Sequence, residues 1–329
     1  MSLDVMPAAS RFLARRRGVE WPTILLAAVV YGGWLAVTYF HASLPAWLVA
    51  AVGAWLVAWH SSMQHEILHG HPTRSRRVNR GLASVPLSIW LPYESYRVSH
   101  LRHHCDERLT DPLDDPESRY LTVADWEGLG PVGRTLLRAQ KTLLGRLVIG
   151  PFWAVGHFLA DEVRALKRGD KVSRRAWGEH LPMLLLVLAW LVLVCEMGLT
   201  FYLLAIVYPA TALMLLRSFA EHKAAEGVLE RTAIVENAPI LGLLYLYNNL
   251  HAVHHERPVM PWYEIPRWYR ANRDRLVREN GGMVYDGYLD VARRFLLREH
   301  DVVTHPFEPA GERPGAALRD TASRRTNVM

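Results

Sequence analysis

Apolar positions along this chain gather into four long runs, at about 22–40, 44–60, 181–197 and 199–216, none of which contains a lysine or arginine. A helix that crosses a bilayer needs ~20 residues, within a range of ~17–25, so each run is adequate or slightly short. Only a few residues, at His41–Leu44 and Met197–Thr200, separate the runs within each pair. The pattern therefore predicts an all-α integral membrane protein with about four transmembrane helices in two hairpins. Two further apolar stretches, Gly81–Leu91 and Pro239–Tyr247, are too short to span and read as buried or re-entrant segments.

Charge gives this topology a direction. Arg11, Arg15, Arg16 and Arg17 precede the first run, the two hairpin links carry no Lys or Arg, and basic residues are frequent across 61–180 and after Arg217. By the positive-inside rule both termini and the middle segment are cytoplasmic; the expected location is the inner (plasma) membrane of a bacterium. The expected organisation is a cytoplasmic segment at 1–21, a membrane domain at 22–307 and a disordered tail at 308–329, where Pro, Gly, Arg and Ala dominate. The first run lacks a small-residue cleavage site and a second span follows at once, so it reads as an anchor rather than a removed signal peptide. The net charge of +6 fits positive-inside bias and anionic lipid better than nucleic acid. Arg134–Val148 mixes basic residues and leucines as a helix on a membrane surface would, and Trp262, Tyr263, Trp268 and Tyr269 resemble an interfacial aromatic belt. Either stretch equally fits ordinary amphipathic packing. Two cysteines, Cys105 and Cys195, allow no disulfide framework and no thiolate metal site; Cys105 reads as a packed neighbour of His104. The acidic stretch Thr110–Ser118 matches no calcium loop and reads as turn-forming.

The candidate chemistry lies in three histidine clusters: His65 and His69 in HEILH, His100, His103 and His104 in HLRHH, and His251, His254 and His255 in HAVHH. On a helix, positions three and four apart share a face, so each cluster presents its imidazoles together. Eight clustered imidazoles exceed what one zinc ion takes, which argues for two metals, and thiolate-free imidazole ligation favours iron, copper or zinc. HEILH also fits the HExxH zinc-protease pattern, but that reading leaves both HxxHH clusters unexplained. A metal transporter or a metal-binding membrane protein is a further alternative. Transport would place ionisable residues within the spans, whereas these spans are almost purely apolar. If the second helix continues, the ~1.5 Å rise per residue puts His65 only ~7–8 Å beyond the apolar boundary.

The order HxxxH, HxxHH, HxxHH around two hairpins resembles the membrane fatty-acid desaturase superfamily, which includes acyl-lipid and acyl-CoA desaturases, alkane hydroxylases and carotenoid oxygenases. The likeness covers roughly 22–270, and His254–Pro266 (HHERPVMPWYEIP) is similar to the stretch after the third box in bacterial members. The resemblance implies a cytoplasmic helical cap carrying a di-iron site, with O₂ as co-substrate. Its iron ligands would be His65, His69, His100, His103, His104, His251, His254 and His255, with His222 in RSFAEHK as the further histidine used by acyl-CoA desaturases. Glu66, Glu221, Asn248 and Asn249 adjoin these positions and are candidates for orienting them; His71 stands off the His65/His69 face. Three residues separate His65 from His69 where acyl-CoA desaturases usually have four, which weakens the match to that subgroup. With no HPGG haem motif, electrons are expected from a separate donor, ferredoxin-like or similar, with its reductase. The implied activity is oxidation of a lipid or hydrocarbon chain, foremost fatty-acyl desaturation. The alternative on the same scaffold is hydroxylation or oxygenation of a fatty acyl lipid, alkane or carotenoid.

Overall fold

The computed structural model describes residues 18–307, so the expected tail at 308–329 and most of the 1–21 segment lie outside the described residues. Four helices are long and apolar enough to cross a membrane: α1 (Trp21–Tyr39), α2 (Ala46–Leu68), Lys171–Val194 and Leu199–Glu221. The helices outrun the apolar runs. α2 continues eight residues past the second run and so carries the first histidine box on its final turns. Backbone hydrogen bonding does not stop where apolar side chains do, because i to i−4 bonds satisfy the chain in either medium. In chain order, the other elements that matter here are α3 (Tyr93–His103), α4 (Pro131–Gln140), α5 (Leu143–Val148), α6 (Lys171–Val194), α7 (Leu199–Glu221), β1 (Ile234–Glu236), α8 (His251–Glu256) and β2 (Val284–Asp286).

Packing divides the described chain into two compact units. The first comprises 18–94, Arg175–Thr211 and Pro239–Arg273. Here α1 packs along α2, and α2 along the first part of α7. The α2–α7 approach depends on Gly53: a Cβ built there would lie 2.8 Å from Ile206 Cδ1. Small residues allow such close backbone contact where lipid supplies no hydrophobic drive between helices. The facing stretch of α7, Tyr202–Val207, widens into a π turn just ahead of Pro209, whose missing N–H interrupts the regular ladder. Leu25, Val29, Leu185, Leu186 and Leu193 stay exposed, as lipid-facing positions would.

Between Ala83 and Tyr93 the chain is irregular and largely buried, which agrees with the short apolar stretch read there. Its carbonyls are met by side chains: Gln64 Nε2 donates to Ala83 O at 2.8 Å, Tyr202 Oη to Leu87 O at 2.6 Å, and a nitrogen of His180 lies 3.0 Å from Ile89 O. Trp34 Nε1 donates in turn to Tyr202 Oη at 2.9 Å. Trp262 is also clasped within this unit, its indole N–H donating to Thr23 Oγ1 and its backbone N–H to Glu66 Oε1, each at 3.1 Å.

The second unit comprises Ser95–Arg174, Ala212–Ala238 and 274–307. β1 and β2 pair in parallel here, with Ile234 opposite Val284. The expected single helix over Arg134–Val148 is two, α4 and α5, broken at Lys141–Thr142. Thr142 Oγ1 accepts the Gly145 N–H at 3.1 Å and so caps α5. A Cβ at Gly145 would fall 1.9 Å from Ala139 O, so only glycine permits this reversal.

Gly53→Leu should destabilise the detergent-solubilised protein by the ~1–3 kcal/mol of an overpacked contact, seen as a lower thermal midpoint. Gly32→Leu, at a position with nothing within 4 Å of its Cβ, should leave the midpoint nearly unchanged.

Candidate metal centre

The first unit assembles five of the candidate imidazoles. His65 and His69 stand one turn apart at the end of α2, with ring centroids 5.2 Å apart. His69 caps that helix, its backbone N–H reaching Glu66 O. The third box forms the short helix α8, entered through a tight reversal in which Leu246 and Tyr247 both adopt left-handed φ, at 51° and 59°. Two such non-glycine residues cost on the order of 1–3 kcal/mol each and persist only where the surroundings hold them. Here the Tyr247 N–H donates to Gly242 O at 2.7 Å, and a Cβ at Gly242 would lie 3.2 Å from Asn249 Oδ1. The reversal aims Asn248 back at the boxes. Its Oδ1 lies 3.2 Å from His251 Nδ1 and its Nδ2 3.5 Å from His65 Nε2. The His254 ring then sits 4.5 Å from that of His65 and 4.8 Å from that of His69. His65, His69 and His254 each offer a nitrogen within 4.8 Å of the others, and His251 Nε2 faces His255 Nε2 at 3.1 Å.

The second unit assembles the other four. His100 and His103 lie on the last turn of α3, and His104 follows in the turn beyond it, its N–H bonded to His100 O. His222 comes directly after α7 and pairs through its backbone with Thr232. His103 Nε2 and His222 Nε2 face each other at 3.0 Å, as do the Nε2 atoms of His100 and His104.

The opposite nitrogens explain why these pairs can hold a metal. His103 Nδ1 donates to Asp115 Oδ1 at 2.8 Å and His222 Nδ1 to Arg231 O at 3.1 Å. With both Nδ1 protons committed, the two Nε2 lone pairs point at one another, and something positive must stand between them. A proton meets that need in part: burial alone would lower His103, but the Asp115 and Glu117 carboxylates push it up to about 9. A metal ion meets the same need, and imidazole–carboxylate pairing behind the ligand is the usual support of a histidine metal site. His100 follows suit, its Nδ1 donating to Glu117 Oε1 at 3.0 Å. Burial raises Glu117 itself to about 7. The residues present thus fit a histidine-bound transition metal.

Asp115 and Glu117 were legible in the sequence only as part of a turn-forming loop. The loop does turn, with Thr110 N–H on Asp115 Oδ2 at 2.9 Å, but it also folds back so that two of its carboxylates orient the second box. They follow His103 by twelve residues and His100 by seventeen, spacings with no periodic meaning. Of the residues expected to support ligands, Asn248 touches two imidazoles. Glu221 forms a buried ion pair with Arg217 at 2.8 Å, beside His222, and adds to the field that raises His103. Asn249 is buried against Gly242. Glu66 lies 3.1 Å from His71 Nδ1, which also donates to Glu20 at 2.7 Å, forming a buried carboxylate–imidazole–carboxylate group. Cys105 is exposed rather than packed, because the chain turns outward after α3.

Asp115→Asn should lower transition-metal affinity by roughly 10–100-fold, the usual cost of losing a carboxylate behind a ligand histidine. Asp114→Asn, next in sequence but set toward Arg108 at 3.4 Å, should leave the metal content measured by elemental analysis unchanged.

Residues 41–287, three quarters of the chain, match the sequence pattern of the family described as fatty acid desaturase. No curated protein compared with the chain matches it. The match extends over the last three of the four apolar helices and all three histidine boxes, and with its four apolar helices the chain is an integral membrane protein that belongs to the fatty acid desaturase family.

Proposed function

We propose that this protein is an O₂-dependent di-iron desaturase acting on a fatty-acyl chain drawn from the membrane. One observation supports this above the others: two imidazoles, His103 buried and His222 half-buried, whose Nδ1 atoms are taken by acceptors and whose Nε2 atoms face each other at 3.0 Å. That donor set, in a member of this family, fits iron. The proposed ligands are His65, His69, His100, His103, His104, His222, His251, His254 and His255. Two irons held there would supply, with O₂, an oxidant strong enough for an unactivated C–H bond.

The side chains have simpler tasks. Asp115, Glu117, Asn248 and the Arg231 carbonyl fix which nitrogen of each imidazole faces inward. Burial of His65, His69, His100, His103, His251, His254 and His255 excludes water from the reacting chain. Forming one double bond removes two hydrogens from neighbouring carbons while O₂ becomes two waters. The remaining two electrons and two protons come from a separate ferredoxin-like donor and its reductase.

We further propose that both termini and the segment between the hairpins are cytoplasmic. Reporter fusions at Met329 and within 120–130 should register cytoplasm, and a tag in the His41–Leu44 link the opposite side. A middle segment on the outer side would overturn this orientation.

Expression in a host of known lipid content should yield acyl chains two hydrogens lighter, seen by mass spectrometry. Products heavier by one oxygen, labelled from ¹⁸O₂, would make the enzyme a hydroxylase. The two outcomes share the first hydrogen abstraction and part on how closely the second C–H bond is held. His103→Ala and His254→Ala should abolish either product and lower bound iron.

A further inference from the structure

A second group of buried polar side chains occupies the unit that holds His103 and His222. It surrounds a cavity of about 30 Å³, whose walls include Arg119, Tyr120, Gln140, Lys141, Arg146 and Asp301. One ordered water needs roughly 10–15 Å³ by this measure, so the cavity admits two or three atoms of oxygen size. The reversal at Gly145 builds it, turning the end of α4 back on the start of α5 and bringing Gln140, Lys141 and Arg146 to one place.

Two of the cations there have no ion-pair partner among the described residues. Lys141 and Arg146 are more than nine-tenths buried. The Lys141 ammonium donates to the Arg119 carbonyl at 3.1 Å and lies 4.4 Å from the Tyr120 ring centre, but it forms no ion pair among the described residues. Arg146 has no ion pair among them either, and its buried Nε meets no acceptor. Gln140 Nε2, also buried, meets none. The carboxylates lining the cavity are engaged elsewhere: Asp115 by His103, Glu117 by His100, and Asp301 by the Tyr120 hydroxyl and the Val302 N–H. Burial lowers Lys141 to about 7, with the nearby Arg146 and Arg119 adding to the shift and Asp301 and Glu299 opposing it. Burying a cation without an ion-pair partner is costly even after relaxation.

We propose that this cavity binds a carboxylate group, held by the guanidinium of Arg146, the amide of Gln140 and the ammonium of Lys141. A planar two-oxygen anion suits both the size of the cavity and the fork of an arginine, whereas a tetrahedral oxyanion needs more room. The carboxylate belongs either to a small free acid or to the head of a fatty acid. The cavity adjoins the imidazole set, since His222, Asp115 and Glu117 also line it, but none of the three groups proposed to hold the carboxylate belongs to that set and the proposal does not depend on the proposed oxidation.

The test is thermal unfolding of the full-length, iron-loaded protein in detergent, titrated with acetate, laurate, dodecanol and inorganic phosphate at constant ionic strength. Acetate should raise the midpoint saturably. Laurate acting at far lower concentration than acetate, with dodecanol inert, would identify a fatty-acid head group; equal potency of acetate and laurate would identify a small free acid. Arg146→Gln and Lys141→Gln should each weaken acetate by about tenfold or more, the loss of one charge-assisted hydrogen bond. Gln140→Ala, which leaves the buried charges in place, should weaken it several-fold and decides the matter if the charge variants do not fold. Stabilisation by phosphate alone, no saturable shift with any carboxylate, or unchanged acetate titration in these variants would overturn the proposal.

Discussion

A neutral imidazole has one proton for two nitrogens, and when the ring is buried neither nitrogen is left alone without cost, ~1–3 kcal/mol for an unmet polar group. Much of the candidate centre can be derived from that constraint. Asp115 takes the proton on His103 Nδ1, and the Arg231 carbonyl takes the one on His222. Each ring is thereby committed to presenting a lone pair on Nε2, and two such lone pairs 3.0 Å apart repel unless a cation lies between them. A proton serves when nothing else is present, which is why His103 is held so basic. A transition metal serves better, since it accepts both lone pairs at once. The acceptors behind the rings are therefore as much a part of the centre as the rings themselves.

The membrane imposes the same accounting on the backbone. Where the chain leaves helical geometry between Ala83 and Tyr93, its carbonyls lose their i+4 donors, and apolar surroundings offer no water to replace them. Gln64, His180 and Tyr202 meet Ala83, Ile89 and Leu87 in turn. These polar residues inside or beside apolar helices look out of place in a hydropathy profile. Their partners show that they hold an irregular segment in position. Trp34 extends the network to α1, so all four long helices contribute to one hydrogen-bonded set in the first unit.

Strain and close approach mark the places where the chain is bent to bring chemistry together. The two left-handed residues Leu246 and Tyr247 turn the backbone so that Asn248 reaches both the first and the third box. Gly145 allows a reversal that no side chain would tolerate, and the result is a cavity lined by buried cations. In both cases a tight local bend brings polar groups to one place.

The sequence by itself determined the helices, the hairpins and the identity of the histidine boxes. Those features depend on local periodicity: apolar runs of spanning length, and imidazoles three and four residues apart, which any helix must place on one face. It offered His222 as a candidate only through a family resemblance, because an isolated histidine has no spacing to read. The tertiary structure alone decided what stands behind the ligands. Asp115 and Glu117 lie in a stretch whose Asp and Pro content signals a turn and nothing more, and their role exists only because the loop returns to α3. Glu66, adjoining His65 in sequence, meets His71 and Trp262, partners that its position in the chain does not announce. The cationic cavity was likewise invisible, for Arg146 and Lys141 read as the polar face of a surface helix until the break at Lys141–Thr142 turned them inward. Hydrogen-bond partners distant in sequence carry no periodic signal, so only the folded chain reveals them.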